Sequence, residues 1–408
     1  MDRTLVIVGH GMVGHRLAEA VLALDADSQW RIIILAEEDQ PAYDRVSLSS
    51  YLDGKGKNDL ALAREDFLHH PAVEVRLGCP AVGGCRAARI VRAADGAEMR
   101  YDALVLATGS RPFVPPVPGR DLTGCFAYRT FDDLDAIRDA ARPGHAGVVV
   151  GGGLLGLEAA NALRSLGMRP HIVETAPHLM PAQLDADAAC VLQQHVARIG
   201  VVVHCGTAVD SVDAHPNRTV RSVILSDGTV IDTPLVVFAA GVRPRDDLAT
   251  ALGLERAPQG GVLVNAYCRT VDDRIWAVGG CAAVHGRCYG LVAPGYRMAA
   301  SVARQLLGHD AEPFNAADTF TTLRLPGVNI ASFGTSRPGA EGGKQMVFAE
   351  GPTRYAKVLL HPDTGVLIGG ILAGDTGSRA ALQPFLGRRP PADLEDILLP
   401  SRPGRPGS

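Results

Sequence analysis

Two glycine sets carry the main chemical signal of the sequence. Gly9, Gly11 and Gly14 are spaced G-x-G-x-x-G, and Gly151, Gly153 and Gly156 repeat the spacing. The first glycine of such a set permits a tight turn and the second lets a pyrophosphate approach the backbone. The third allows a helix to pack closely on a strand. The amides that open the helix then face the phosphates. An acid follows each set by about 20 residues, where a carboxylate can accept both hydroxyls of a ribose; these acids are Glu37 and Glu174. One set alone is weak evidence, but two sets, each with its acid, imply two dinucleotides on one chain. Glu174 would accept a free 2′-hydroxyl and repel a 2′-phosphate, and Thr175–His178 supplies no arginine. The second site is therefore expected to take NADH in preference to NADPH.

The elements that must position these residues are legible beside them. Leu5-Val6-Ile7-Val8 reads as a strand, the residues after Gly14 as an amphipathic helix, and Ile32-Ile33-Ile34-Leu35 as the next strand. The same order recurs from Val148-Val149-Val150 to Glu174. An α/β fold with two Rossmann-like domains is expected, and 408 residues leave room for a further small domain. The net charge is −4 and no basic run stands out, which gives no reason to propose nucleic acid or an anionic membrane as a partner. The chain enters a strand almost at once, without the pattern of a signal peptide, and no apolar run approaches the ~18 residues of a membrane span. A cytoplasmic location is expected. None of the eight cysteines is spaced as in a zinc or thioredoxin motif, and the 13 histidines form no ligand set. No metal site is expected.

Longer motifs carry a resemblance. Ala107-Thr108-Gly109-Ser110-Arg111-Pro112, Ala240-Gly241-Val242-Arg243-Pro244 and Ile275-Trp276-Ala277-Val278-Gly279 follow the glycine sets in order. With them the chain resembles the pyridine nucleotide–disulfide reductase superfamily in its two-dinucleotide flavoprotein form. It is similar there to the FAD/NADH portion of assimilatory NAD(P)H nitrite reductase large subunits. The motifs that carry this likeness are Tyr43-Asp44-Arg45-Val46-Ser47-Leu48-Ser49, Leu179–Asp185 and Tyr289–Tyr296. The resemblance implies an FAD domain (1–118 and 247–310) interrupted by an NAD domain (119–246). An α+β domain (311–395) and a disordered tail (396–408) would follow. It implies FAD contacts from Gly9, Gly11, Met12, Val13, Gly14, Glu37, Arg45, Ser49, Val82, Ala107, Thr108, Gly109, Arg129, Gly280, Cys281 and Pro294. NAD contacts would come from Gly151, Gly153, Leu154, Leu155, Gly156, Glu158, Glu174 and Gly241.

The chain also departs from that pattern. Gly280 stands where the family usually places an acid that holds a ribityl hydroxyl, and losing one such bond would weaken FAD binding about ten- to a hundred-fold. Val46–Tyr51 has no cysteine and Ser50 replaces a lysine common in ferredoxin-reductase relatives. Disulfide chemistry is thus disfavoured, and Glu158 is left without that lysine. No cysteine follows Cys288, so an iron–sulfur cluster in this chain's last residues is not expected.

The expected reaction is hydride transfer from NADH to FAD, without a classical acid–base residue. Electrons would then pass to a separate iron–sulfur or haem protein, with nitrogen-oxide metabolism as the setting. Two alternatives stay open: an NADH oxidase or reductase of a small-molecule acceptor, and a nucleotide-responsive binding protein. A monomer or a homodimer fits equally. Tyr355–Leu360 and Val366–Leu372, around Pro362-Asp363-Thr364-Gly365, predict a hairpin in the last domain.

Overall fold

The computed structural model describes residues 3–315, 320–325, 328–335, 343–349, 354–391 and 394–398. Along the chain come β1 (Arg3–Val8), α1 (Met12–Leu24), β2 (Trp30–Leu35), β3 (Val73–Arg76) and β4 (Ala103–Leu106). A second series follows: β5 (Cys125–Ala127), β6 (Ala146–Val150), α2 (Leu154–Ser165), β7 (Arg169–Glu174), α3 (Ala186–Arg198), β8 (Val202–Cys205) and β9 (Val236–Phe238). Next are β10 (Ile275–Ala277) and α4 (Val292–Leu306), and finally β11 (Phe320–Leu325), β12 (Val328–Gly334), β13 (Lys344–Ala349), β14 (Tyr355–Leu360) and β15 (Leu367–Ala373).

These elements form two compact units, Met1–Arg111 with Val242–Ala316, and Pro112–Gly241 with Ala317–Ser408. The first holds a parallel sheet in the order β10-β4-β1-β2-β3. The second holds a parallel sheet in the order β8-β7-β6-β9-β5. Central strands of parallel sheets are covered on both faces and so read as unbroken apolar runs. Leu5–Val8, Ile32–Leu35 and Val148–Val150 are all buried. In α1 the buried residues Gly14, Leu17, Ala18 and Val21 recur at helical spacing and form one stripe against the core.

Packing in the first unit is set by small residues. Val13 of α1 sits where a Cβ on Gly295 of α4 would stand 2.6 Å from its Cγ2, and one on Gly279 would stand 3.1 Å away. The two helices can therefore close on each other only through glycine. In the second unit the last sheet is antiparallel, in the order β11-β12-β15-β14-β13. The predicted hairpin is β14 and β15, which pair antiparallel from Tyr355↔Ala373 to Leu360↔Leu367. This sheet packs on α3, where buried Lys357 of β14 reaches Asp185 at 2.8 Å and the Tyr355 hydroxyl donates to the same oxygen at 2.9 Å. Burial pushes the Asp185 carboxyl up, but Lys357, the Ala188 amide and Tyr355 outweigh it and hold it below its usual range. Residues 396–398 of the expected tail belong to the helix Leu394–Leu398; the rest of that tail lies outside the described residues. No helix among the described residues is long and apolar enough to cross a membrane.

Candidate functional site

The first glycine loop joins β1 to α1. Gly9 has φ +110°, and a Cβ on it would stand 2.3 Å from the Ala107 carbonyl oxygen, so only glycine fits. A Cβ on Gly14 would lie 2.1 Å from the Gly9 oxygen. Gly11 caps α1 without any side-chain hydrogen bond, and a Cβ on it would meet nothing within 4 Å. The loop therefore presents an open face and a helix terminus without a side-chain cap, the surroundings that a pyrophosphate needs. Met12 and Val13 open the helix, and Val13 also packs on Gly279 and Gly295.

Most of the expected set belongs to the first unit. Ala107 and Thr108 lie against Gly9, and Gly109 follows them. Glu37, just past β2, pairs with the Arg245 guanidinium. Arg45 is bound to Glu38 at 2.6 Å and lies over the Tyr43 ring, while the Tyr43 hydroxyl donates to the other Glu38 oxygen at 2.8 Å. Ser49 opens the short helix Ser49–Leu52. Val82 is 56% exposed on the strand Ala81–Cys85, and Pro294 is buried in the first turn of α4. Arg129 belongs to the other unit, just before the helix Phe131–Ala140.

Gly280 and Cys281 form a single turn after β10. Cys281 is fully buried and its thiol donates to the Leu106 and Val278 carbonyls at 3.3 and 3.4 Å, so its side chain serves the core. Gly280 lines a cavity of about 210 Å³ with Gly260, Cys288 and Tyr289. A Cβ there would find its nearest atoms at 3.5 Å, an ordinary contact. The fold thus accepts a side chain at 280, and the absence of a carboxylate is a chemical change rather than a steric need.

Behind the first loop lies a feature that no motif signalled. His10 and His15 are 7% and 3% exposed, their ring centroids are 5.4 Å apart, and both contact Phe67. None of their four ring nitrogens has a hydrogen bond of normal geometry. Burial first, and His15 second, push His10 down to about 3; burial also lowers His15.

The second loop repeats the first. Gly151 has φ +115° beneath the Ala239 carbonyl, and a Cβ on Gly156 would stand 1.8 Å from the Gly151 oxygen. Gly153 caps α2 with no side-chain bond and faces open space. Leu154 and Leu155 begin the helix, half-buried. Glu174 ends β7 and is held by its own loop: the Gly152 amide donates to it at 2.7 Å and the Ala176 amide at 2.8 Å. Gly241, with φ +108°, accepts a hydrogen bond from the Phe113 amide at 2.9 Å. Glu158 lies in α2, and burial pushes its carboxyl up to about 7. Both loops therefore fit a pyrophosphate-bearing ligand. Among the described residues no group of three or more side chains is arranged to hold a metal ion.

Sequence reasoning missed Arg245, Glu38, His10, His15 and the Asp185–Lys357–Tyr355 cluster. Arg245 follows the Val242-Arg243-Pro244 segment directly, which was the available signal; the Asp185 cluster pairs across 170 residues or more, and no motif marks Glu38, His10 or His15.

Comparison with known proteins agrees with this geometry. Residues 3–305 match the family model described as pyridine nucleotide-disulphide oxidoreductase. The nitrite reductase [NAD(P)H] large subunit of Klebsiella oxytoca is 44% identical over 98% of this chain and 42% of its own length. The rubredoxin-NAD(+) reductase of Alcanivorax borkumensis is 30% identical over 91% of this chain and 95% of its own. Among solved structures, the ferredoxin reductase of the CYP199A2 system from Rhodopseudomonas palustris superposes with a TM-score of 0.85 at 26% identity, covering 94% of each chain. This chain spans less than half the length of the nitrite reductase it matches. With two glycine loops in two parallel sheets and a family match across most of its length, the chain belongs to the pyridine nucleotide-disulphide oxidoreductase family and is an FAD- and NAD(P)H-dependent oxidoreductase.

Proposed function

We propose that this chain takes hydride from NADH at the second loop and passes the electrons, through FAD at the first, to a separate iron–sulfur or haem protein. The observation that carries this reading is the presence of two complete glycine loops, each with its acid, beside a Val46–Tyr51 segment free of cysteine. Likeness to nitrite reductases and to a rubredoxin reductase supports electron delivery to a partner; the setting we propose is nitrite or nitrogen-oxide metabolism in the cytoplasm. We assign residues 1–118 and 247–310 to FAD, 119–246 to NADH and 311–395 to a C-terminal domain.

Bound FAD supplies the isoalloxazine that accepts the hydride and releases electrons onward. The chain's own residues bind and orient. The amides opening α1 and α2 hold the two pyrophosphates, Glu37 and Glu174 accept the ribose hydroxyls, and Pro294 walls the flavin. Glu174 is held by two backbone amides, so its carboxylate meets a 2′-hydroxyl without first having to be ordered. Glu158, raised to about 7 by burial, holds a proton at its carboxylate near neutrality.

The test is the visible spectrum of FAD-loaded protein under anaerobic conditions, before and after one equivalent of NADH. The oxidised-flavin band should bleach, and an added iron–sulfur protein should restore it. A band unchanged by NADH overturns the reading. Rapid NADH turnover with dissolved oxygen alone transfers the assignment to an oxidase.

A further inference from the structure

Arg245 connects two walls of the first loop. Its amide donates to the Gly109 carbonyl at 3.0 Å, and its own carbonyl accepts from the Thr108 hydroxyl at 2.6 Å. Thr108 and Ala107 in turn lie directly against Gly9. From this anchored backbone the guanidinium reaches out to the Glu37 carboxylate. Asp247 also acts on the Arg245 charge from nearby but is itself ion-paired to Arg111 at 2.8 Å. Both partners stay accessible, with side-chain exposures of 37% for Arg245 and 55% for Glu37.

A carboxylate has about four acceptor sites, so an arginine can occupy one side of Glu37 while a ribose diol takes the other. A glutamate left to itself would lose rotamer freedom each time a ligand bound. We propose that Arg245 is a positioning residue for FAD: it holds Glu37 turned toward the hydroxyls of the adenosine ribose. This rests on the reading that the first loop holds FAD. It makes the affinity for the adenosine half of the ligand depend on a residue that the glycine motif does not contain.

The experiment is a double-mutant cycle on the full chain, read as the FAD dissociation constant from recovery of flavin fluorescence, with the melting temperature of the flavin-free protein alongside. Glu37→Gln and Arg245→Gln should each weaken FAD about tenfold, and the double variant should be no weaker than either, because one acts through the other. Arg245→Lys should recover part of the loss, and the flavin-free melting temperature should stay within a degree or two. Losses that multiply in the double variant overturn the proposal, as does unchanged affinity in Arg245→Gln. A fall in melting temperature that parallels the affinity loss also overturns it, since that marks a purely structural role. A wild-type chain that binds no FAD overturns the underlying reading as well, which separates that failure from failure of the Arg245 role alone.

Discussion

Gly9 and Gly151 take nearly the same φ, +110° and +115°, and Gly11 and Gly153 cap their helices with ψ of −173° and −174°. The strands before and after them pair in the same parallel sense. The surroundings of the two loops are nevertheless unlike. Glu174 is fixed by amides of the second loop and its own turn, whereas Glu37 is fixed by Arg245, from a segment that returns late in the sequence. Two buried imidazoles back the first loop, while the second has a half-buried carboxyl on its helix. Both loops rest on a distant strand, Gly9 against Ala107 and Gly151 against Ala239, but the acid of the first is held by a residue far along the chain and that of the second by its own loop. On the reading proposed above, that difference would distinguish FAD at the first loop from NADH at the second.

The most severe way to test the comparison is to remove each loop in turn. Gly14→Ala should lower FAD affinity, and Gly156→Ala NADH affinity, by at least about 100-fold, since each methyl would collide with a backbone oxygen. Separate titrations should find the other ligand bound as before; loss of both in either variant would show that the loops are not independent.

Glu158 sharpens the second side. A carboxyl raised to about 7 binds its proton more tightly in the folded than in the unfolded chain. Its effect on stability is thus absent at low pH and becomes a penalty as pH rises from the ordinary carboxyl value towards 7. Glu158→Gln should remove a cost of up to about 3 kcal/mol at pH 8, measured by urea unfolding at pH 5 and pH 8. Equal stability gains at both pH values would count against it.

On the first side, His10 stays neutral in the folded chain and His15 is lowered by burial, while the unfolded chain takes up protons below about 6.5. Stability should therefore fall as pH drops through that value, by about 2 kcal/mol at pH 5 for His10 alone. Glu19 and Arg16 on α1 also face His15 and offset each other in part. His10→Leu with His15→Leu should flatten this acid slope in urea unfolding; a slope as steep as before would assign it to other groups. The smallest effect is expected at Gly280, where an added side chain meets only ordinary contacts. Gly280→Asp should slow FAD release on dilution about tenfold, as one charge-assisted hydrogen bond would; unchanged release would mean that the backbone of the turn already meets that need.

The loops, their strands and the β14–β15 hairpin were legible because each is written locally: glycine spacing, β-branched runs and the Pro-Asp-Thr-Gly turn. The acids were legible for the same reason. Arg245 was not, because its partner Glu37 lies in the other half of a discontinuous unit. His10 lies between the motif's glycines and His15 just after them, and no spacing in the sequence marks that both rings are buried together. Cys281 is expected as an FAD contact, and because its thiol is buried and bonded within the core only its backbone is left for that role.

The tie between Lys357 and Asp185 bears on how this chain can be cut and recombined. Asp185 caps α3 through the Ala188 amide and also takes the charge of a lysine buried in the last sheet. A shortened descendant that shed this sheet would expose an aspartate chosen for a cation no longer there. A graft of the sheet onto another scaffold would carry a buried ammonium in search of a carboxylate. The sheet and the helix are therefore a single heritable module, to be inherited, transplanted or deleted together.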